Sequence, residues 1–177
     1  MNNKIAIIIA FKDFRDEEYF NTNDILEKNG FKTKTFSNEK GIAIGRFGGE
    51  AMVNDLIENI NIDEFNAIIF IGGSGAKQFL DNEASYDVIK KSFNKNIIIG
   101  AICIAPIILA KAGILKNKKA TVWSSNMDKS AIKIIEENGG LYEEKKVVSD
   151  KNIITGQNHE ASELFALKII EALTNLT

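Results

Sequence analysis

Three uninterrupted apolar runs constrain the fold of this chain more than any other feature: residues 5–10 (IAIIIA), 67–71 (AIIFI) and 97–102 (IIIGAI). Each is far shorter than the roughly 18 residues needed to cross a bilayer. Each is also continuous rather than alternating, the pattern of parallel strands covered on both faces. Residues 31–36 alternate apolar with polar and predict a strand nearer a sheet edge, and 153–155 (IIT) a short late strand.

Between these runs lie segments with helical spacing. Residues 16–29 stop at Gly30, 104–112 at Gly113 and 128–138 at Gly139 and Gly140, the usual place for a glycine just past a helix. Residues 85–94 carry Val88, Ile89 and Phe93 on one face, with Ser85 as the N-cap. Residues 160–173 predict a closing helix with Leu164, Leu167, Ile170 and Leu173 on its apolar face. Strand and helix thus alternate, which predicts an α/β fold: a three-layer sandwich with a mostly parallel sheet between helices. Residues 41–49 interrupt the alternation with four glycines, as a small hairpin would.

With 177 residues and no linker or low-complexity stretch, residues 1–177 are expected to form one domain. The net charge of −2, with Lys and Arg scattered along the chain, argues against nucleic-acid binding, and the lack of a long apolar run against membrane insertion. The strand-like run begins at once, without a signal-peptide pattern, and one cysteine allows no internal disulfide; a reducing, cytoplasmic setting is expected. One His and one Cys support no metal site, and no cofactor motif is present.

Chemistry points to that cysteine. In GAICIAP (residues 100–106) a buried strand runs into Cys103, and Pro106, the only proline, suits the first turn of a helix. The chain must therefore turn sharply at Cys103. Free N–H groups and the positive end of the new helix would favour a thiolate and could hold an oxyanion. The plainer alternative is a small buried hydrophobe. A second turn, Gly72-Gly73-Ser74-Gly75, follows the strand at 67–71, and ligands of open α/β sheets bind at such carboxyl ends.

Together these residues resemble the ThiJ/PfpI superfamily, a branch of the class I glutamine amidotransferase-like, flavodoxin-like fold. Ala101-Ile102-Cys103-Ile104-Ala105-Pro106 matches its nucleophile turn and Gly72-Gly73 its upstream glycine turn, and the likeness extends in order over nearly the whole chain. The resemblance implies a homodimer and a glutamate hydrogen-bonded to the cysteine, here Glu18, with Glu17 one step away. It implies donors for a substrate oxyanion at Gly72, Gly73 and Ile104. Two departures matter. Where protease-like members carry His after the nucleophile, this chain has Ile104, and where others carry His after the next strand it has Trp123; peptide cleavage is therefore not expected. His159, the only histidine, lies in GQNHE rather than a His-x-Glu context. Three readings follow: a cysteine-dependent glyoxalase, deglycase-like enzyme or small-amide hydrolase acting on small electrophilic carbonyls; a redox-responsive stress protein whose Cys103 is oxidised to a sulfinate by a small oxidant; or a non-catalytic module on the same fold.

Overall fold

The computed structural model describes residues 3–175. In chain order it contains β1 (Lys4–Ile8), β2 (Lys12–Phe14), α1 (Asp16–Lys28), β3 (Lys32–Ser37), β4 (Gly41–Gly45), β5 (Glu50–Val53), β6 (Asp55–Leu56) and β7 (Ala67–Phe70). A π-helical turn (Ala76–Leu80) leads into α2 (Glu83–Asn94), β8 (Ile98–Ile102), α3 (Pro106–Lys111), β9 (Lys119–Ala120) and α4 (Ser130–Glu137). The chain closes with β10 (Leu141–Tyr142), β11 (Val147–Asp150), β12 (Ile153–Gly156) and α5 (Ser162–Thr174).

Seven strands form one sheet in the order β11-β12-β8-β7-β1-β3-β6, parallel throughout except where β11 runs antiparallel to β12. The three apolar runs are its central strands β1, β7 and β8, and the alternating run at 31–36 is β3, one place from the edge. Their uninterrupted hydrophobicity has a direct cause. Ile5, Ile7 and Ile9 pack on one face with Phe165 and Ile169 of α5, while Ala6 and Ile8 pack on the other with Ile107, Ile108 and Ile135. From Ile5 to Ile9 every side chain is buried in one of these two clusters, so no position there is left for a polar residue.

The hairpin expected at 41–49 is β4–β5, and β2 pairs in parallel with β4 to complete a small three-stranded sheet. Other expectations are corrected. Ser85 does not cap α2; Asn82 does, its side chain accepting the Ser85 N–H, and Ser85 is buried inside the first turn. The apolar face of α5 is Phe165, Ala166, Ile169 and Leu173, with Leu164 and Leu167 exposed. Leu173 is buried as predicted and Ile170 packs partly against the core; the buried stripe is broader than the leucine spacing suggests because α5 packs against both the sheet and α1. Among the described residues no helix is long and apolar enough to span a membrane.

Because β1, β7 and β8 are parallel neighbours, the turns after them emerge at one end of the sheet. Gly72-Gly73 and Cys103 therefore meet there, and α1, which follows β1 and β2, brings Glu18 beside them.

Candidate active site

Cys103 takes a left-handed backbone conformation, φ +63°, immediately after β8. For a residue with a β-carbon this costs about 1–2 kcal/mol. Two long-range hydrogen bonds impose it: the Cys103 N–H donates to Gly156 O (2.9 Å), and the Cys103 C=O accepts from the Trp123 N–H (2.9 Å). The elbow is thus clamped between the end of β12 and the segment after β9. Pro106 is at the first position of α3, as its missing N–H predicts, but α3 begins three residues past Cys103 and is six residues long, not the nine of the expected 104–112. The donors at the sulfur are accordingly the N–H groups of Ile104 and Gly73, not the end of a long helix.

The acid beside the sulfur is Glu18. It is fully buried, and its Oε2 accepts the Gly72 N–H at 2.9 Å. Its Oε1 is equally buried with no conventional donor among the described residues, yet the carboxyl and the thiol lie close enough to set each other's ionisation. Glu17 instead points outward and pairs with Arg15, Oε2 lying 2.8 Å from Nε.

Burial raises the Glu18 carboxyl from 4.5 to about 7, against the pull of the Cys103 and Gly72 hydrogen bonds. Burial also pushes the Cys103 thiol up, and the neighbouring carboxylate adds to this; the N–H groups of Ile104 and Gly73 work in the opposite direction. The thiolate that the free N–H groups would favour is thus opposed by burial and by the carboxylate. Two buried acids this close resist ionising together, so the Glu18 carboxyl gives up its proton first and the thiol keeps its own.

Gly72 and Gly73 do different work. A β-carbon on Gly72 would lie 2.7 Å from Cys103 Cβ, 2.8 Å from Glu18 Oε2 and 2.8 Å from Ile102 O, so any side chain would wedge the pair apart. Its N–H, expected to bind substrate, is committed to Glu18, which makes Gly72 a support for the acid. Gly73 has φ +103°, which favours glycine, and turns its own N–H toward the sulfur.

A cleft of about 460 Å³ opens over Cys103. Gly73, Ser74, Ile104 and Trp123 line it near the sulfur, and Arg15, Arg46, Lys77 and Asp128 line its charged rim. His159, in the short helical turn before α5, is not among the lining residues. The rim residues were missed by sequence reading because they come from four separate segments, and none belongs to a motif. The placement of Arg46 depends on Asp16, which is almost buried and accepts the N–H groups of Phe47 (2.9 Å) and Gly49 (2.7 Å). That carboxylate holds the β4–β5 turn, and Arg46 with it, against the start of α1. Arg15 stacks over the Phe47 ring at 4.8 Å and reinforces the same contact.

The profile of the DJ-1/PfpI family matches residues 3–172. An uncharacterized protein of Methanocaldococcus jannaschii is 39% identical over 173 residues, covering 97% of this chain and 83% of its own. Deglycase PfpI of Pyrococcus furiosus is 27% identical over 153 residues, covering 86% and 89% respectively. The crystal structure of a ThiJ/PfpI domain protein from Brachyspira murdochii superposes with a TM-score of 0.93 at 27% identity, covering 99% of this chain and 98% of that one.

Proposed function

The chain belongs to the DJ-1/PfpI family, and from that premise we propose that it is a cysteine-dependent enzyme acting on small electrophilic carbonyls, with Cys103 as nucleophile and Glu18 as its acid/base partner. The observation that carries this reading is the buried pair itself. A strained elbow presents the sulfur, a carboxyl raised to about 7 stands beside it, and two backbone N–H groups converge on it.

In the proposed step the Cys103 sulfur adds to an aldehyde carbon. The thiol proton passes to the Glu18 carboxylate, a sulfur–carbon bond forms, and the carbonyl π pair moves onto oxygen. The N–H groups of Gly73 and Ile104 face that oxyanion, and protonated Glu18 returns the proton to it, giving a neutral hemithioacetal. A carboxyl that titrates near 7 suits both halves of this exchange, because a general base works best near the operating pH. The relative named deglycase, and the resemblance to a family acting on 2-oxoaldehydes and their adducts, favour such substrates. A small-amide hydrolase would use the same groups. Peptide cleavage is disfavoured, since Ile104 and Trp123 can transfer no proton and His159 lies outside the cleft lining. The test is methylglyoxal turnover by purified wild type and Cys103→Ala. Activity should fall to background in the variant, and equal turnover by both would refute the nucleophile. Homodimeric assembly goes with the family reading, and light scattering checks it.

A second reading rests on the partial exposure of Cys103 to the cleft beside Glu18. Two molecules of hydrogen peroxide would each deliver one oxygen to the sulfur and leave as water, giving a sulfinate that protonated Glu18 steadies. Intact mass after mild peroxide reads this directly, and an unchanged mass would exclude it.

A further inference from the structure

The rim of the Cys103 cleft is built for negative charge, and we propose that the electrophile it admits carries an acidic group, a carboxylate or a phosphate, which the rim cations hold while the carbonyl reaches Cys103. The proposal rests on the nucleophile reading above and adds the substrate class.

Three cations and one carboxylate line the rim: Arg15, Arg46, Lys77 and Asp128. Arg15 is partly neutralised by Glu17 through two hydrogen bonds of 2.8 and 3.1 Å. Arg46 and Lys77 form no ion pair with any described residue. Ten of the other twenty basic residues are held in ion pairs among the described residues, Arg15 of this rim among them. Asp128 offsets them only in part: its carboxylate is turned back onto Ser130, whose N–H it accepts at 2.9 Å and whose hydrogen bonds hold its pKa low, with the nearby Lys77 charge adding to this.

Arg46 and Lys77 are also positioned rather than merely nearby. The Arg46 N–H donates to Phe14 O at 2.9 Å, and Asp16 pins the next turn, so the base of the Arg46 side chain is fixed. Lys77 stands in the π-helical turn that continues directly from Gly73 and Ser74, the same segment that supplies an N–H to the sulfur. The stacked Arg15 guanidinium completes the arc. A neutral aldehyde such as methylglyoxal would leave all of this unused. An anion would gain charge-assisted hydrogen bonds, two at once from a guanidinium fork. It would also be drawn to the cleft by the local field despite the overall negative charge.

The test compares alkylation of Cys103 by iodoacetate, an anionic electrophile, with alkylation by iodoacetamide, its neutral counterpart. In both reactions the sulfur–carbon bond forms as iodide leaves and the thiol proton is lost, so the ratio of the two rates isolates the effect of charge. In Arg46→Gln/Lys77→Gln the ratio should fall at least about five-fold, and in wild type it should fall with added salt. Lys90→Gln/Lys91→Gln on α2 removes the same charge away from the cleft and should retain the wild-type ratio. Equal ratios in all three proteins would overturn the proposal. Excess acetate or inorganic phosphate should slow the iodoacetate reaction of wild type, and the stronger competitor identifies the acidic group; competition by neither also overturns it. Failure of both reagents to label Cys103 would instead overturn the nucleophile reading on which the proposal rests.

Discussion

Replacing Glu18 with Gln should make the protein more stable at alkaline pH, by an amount that the burial of the carboxyl sets. In the unfolded chain this group titrates at 4.5, and in the fold at about 7. A carboxyl raised on folding binds its proton more tightly in the native state, so its stabilising contribution is complete below the unfolded value. That contribution declines as pH rises from 4.5 and is gone above about 7. At about 1.4 kcal/mol per pH unit, the rise corresponds to a loss of about 3 kcal/mol between pH 4 and pH 8. Gln mimics the protonated acid: its carbonyl can accept the Gly72 N–H and its amide can face the sulfur, with no charge to bury. The stability difference between Glu18→Gln and wild type should therefore grow by about 3 kcal/mol from pH 4 to pH 8. In a chain of this size that is about 6–12 °C in melting temperature. Urea unfolding across that range measures it, with Glu17→Gln as a control that removes a neighbouring, half-exposed carboxylate outside the buried pair. A difference between Glu18→Gln and wild type that stays flat with pH would refute the reasoning. The same substitution should abolish methylglyoxal turnover, so that stability and activity move in opposite directions.

Other outcomes follow from the same geometry. Cys103→Gly should be more stable than Cys103→Ala by about 1 kcal/mol in thermal unfolding, reversing the usual order, because glycine relieves the left-handed strain at φ +63°. Asp16→Ala should cost about 1–3 kcal/mol by stranding the N–H groups of Phe47 and Gly49. It should also weaken discrimination between iodoacetate and iodoacetamide, because Arg46 loses its anchor. Gly73→Ala should destabilise by about 1–3 kcal/mol. The position has φ +103°, and the new methyl would meet the backbone of Asp13 and Arg15.

What could be read from the sequence was what neighbouring residues specify. The central strands were legible because burial on both faces leaves three consecutive apolar signatures, and the elbow because a strand, a cysteine and the only proline fall within a few residues. Family resemblance pointed to Glu18, but only the fold separates it from Glu17, by burying one and exposing its neighbour. The rim was not legible. Arg15, Arg46, Lys77 and Asp128 are spread over more than a hundred residues and look like ordinary surface charges until the sheet gathers their loops. Strand β11 was missed for a related reason: VVSD makes sense only as the antiparallel edge partner of β12, a pairing no local pattern announces. The Cys103 ionisation was misjudged because the helix end is visible in sequence while the buried carboxylate opposing it is not.

The bare α-carbon of Gly72 gives a way to sort related chains. The space in which Cys103 and Glu18 meet is the volume a single methyl group would fill. A relative with any side chain at that place has closed the contact, whatever residues it retains at the other two. Conversely, a relative that keeps glycine there but has lost the cysteine retains a vacant socket, into which a nucleophile could be restored by one substitution. That one position therefore separates proteins that have kept the reactive pair from those that have kept only its architecture, and thiol reactivity measured across such a set would show where the division falls.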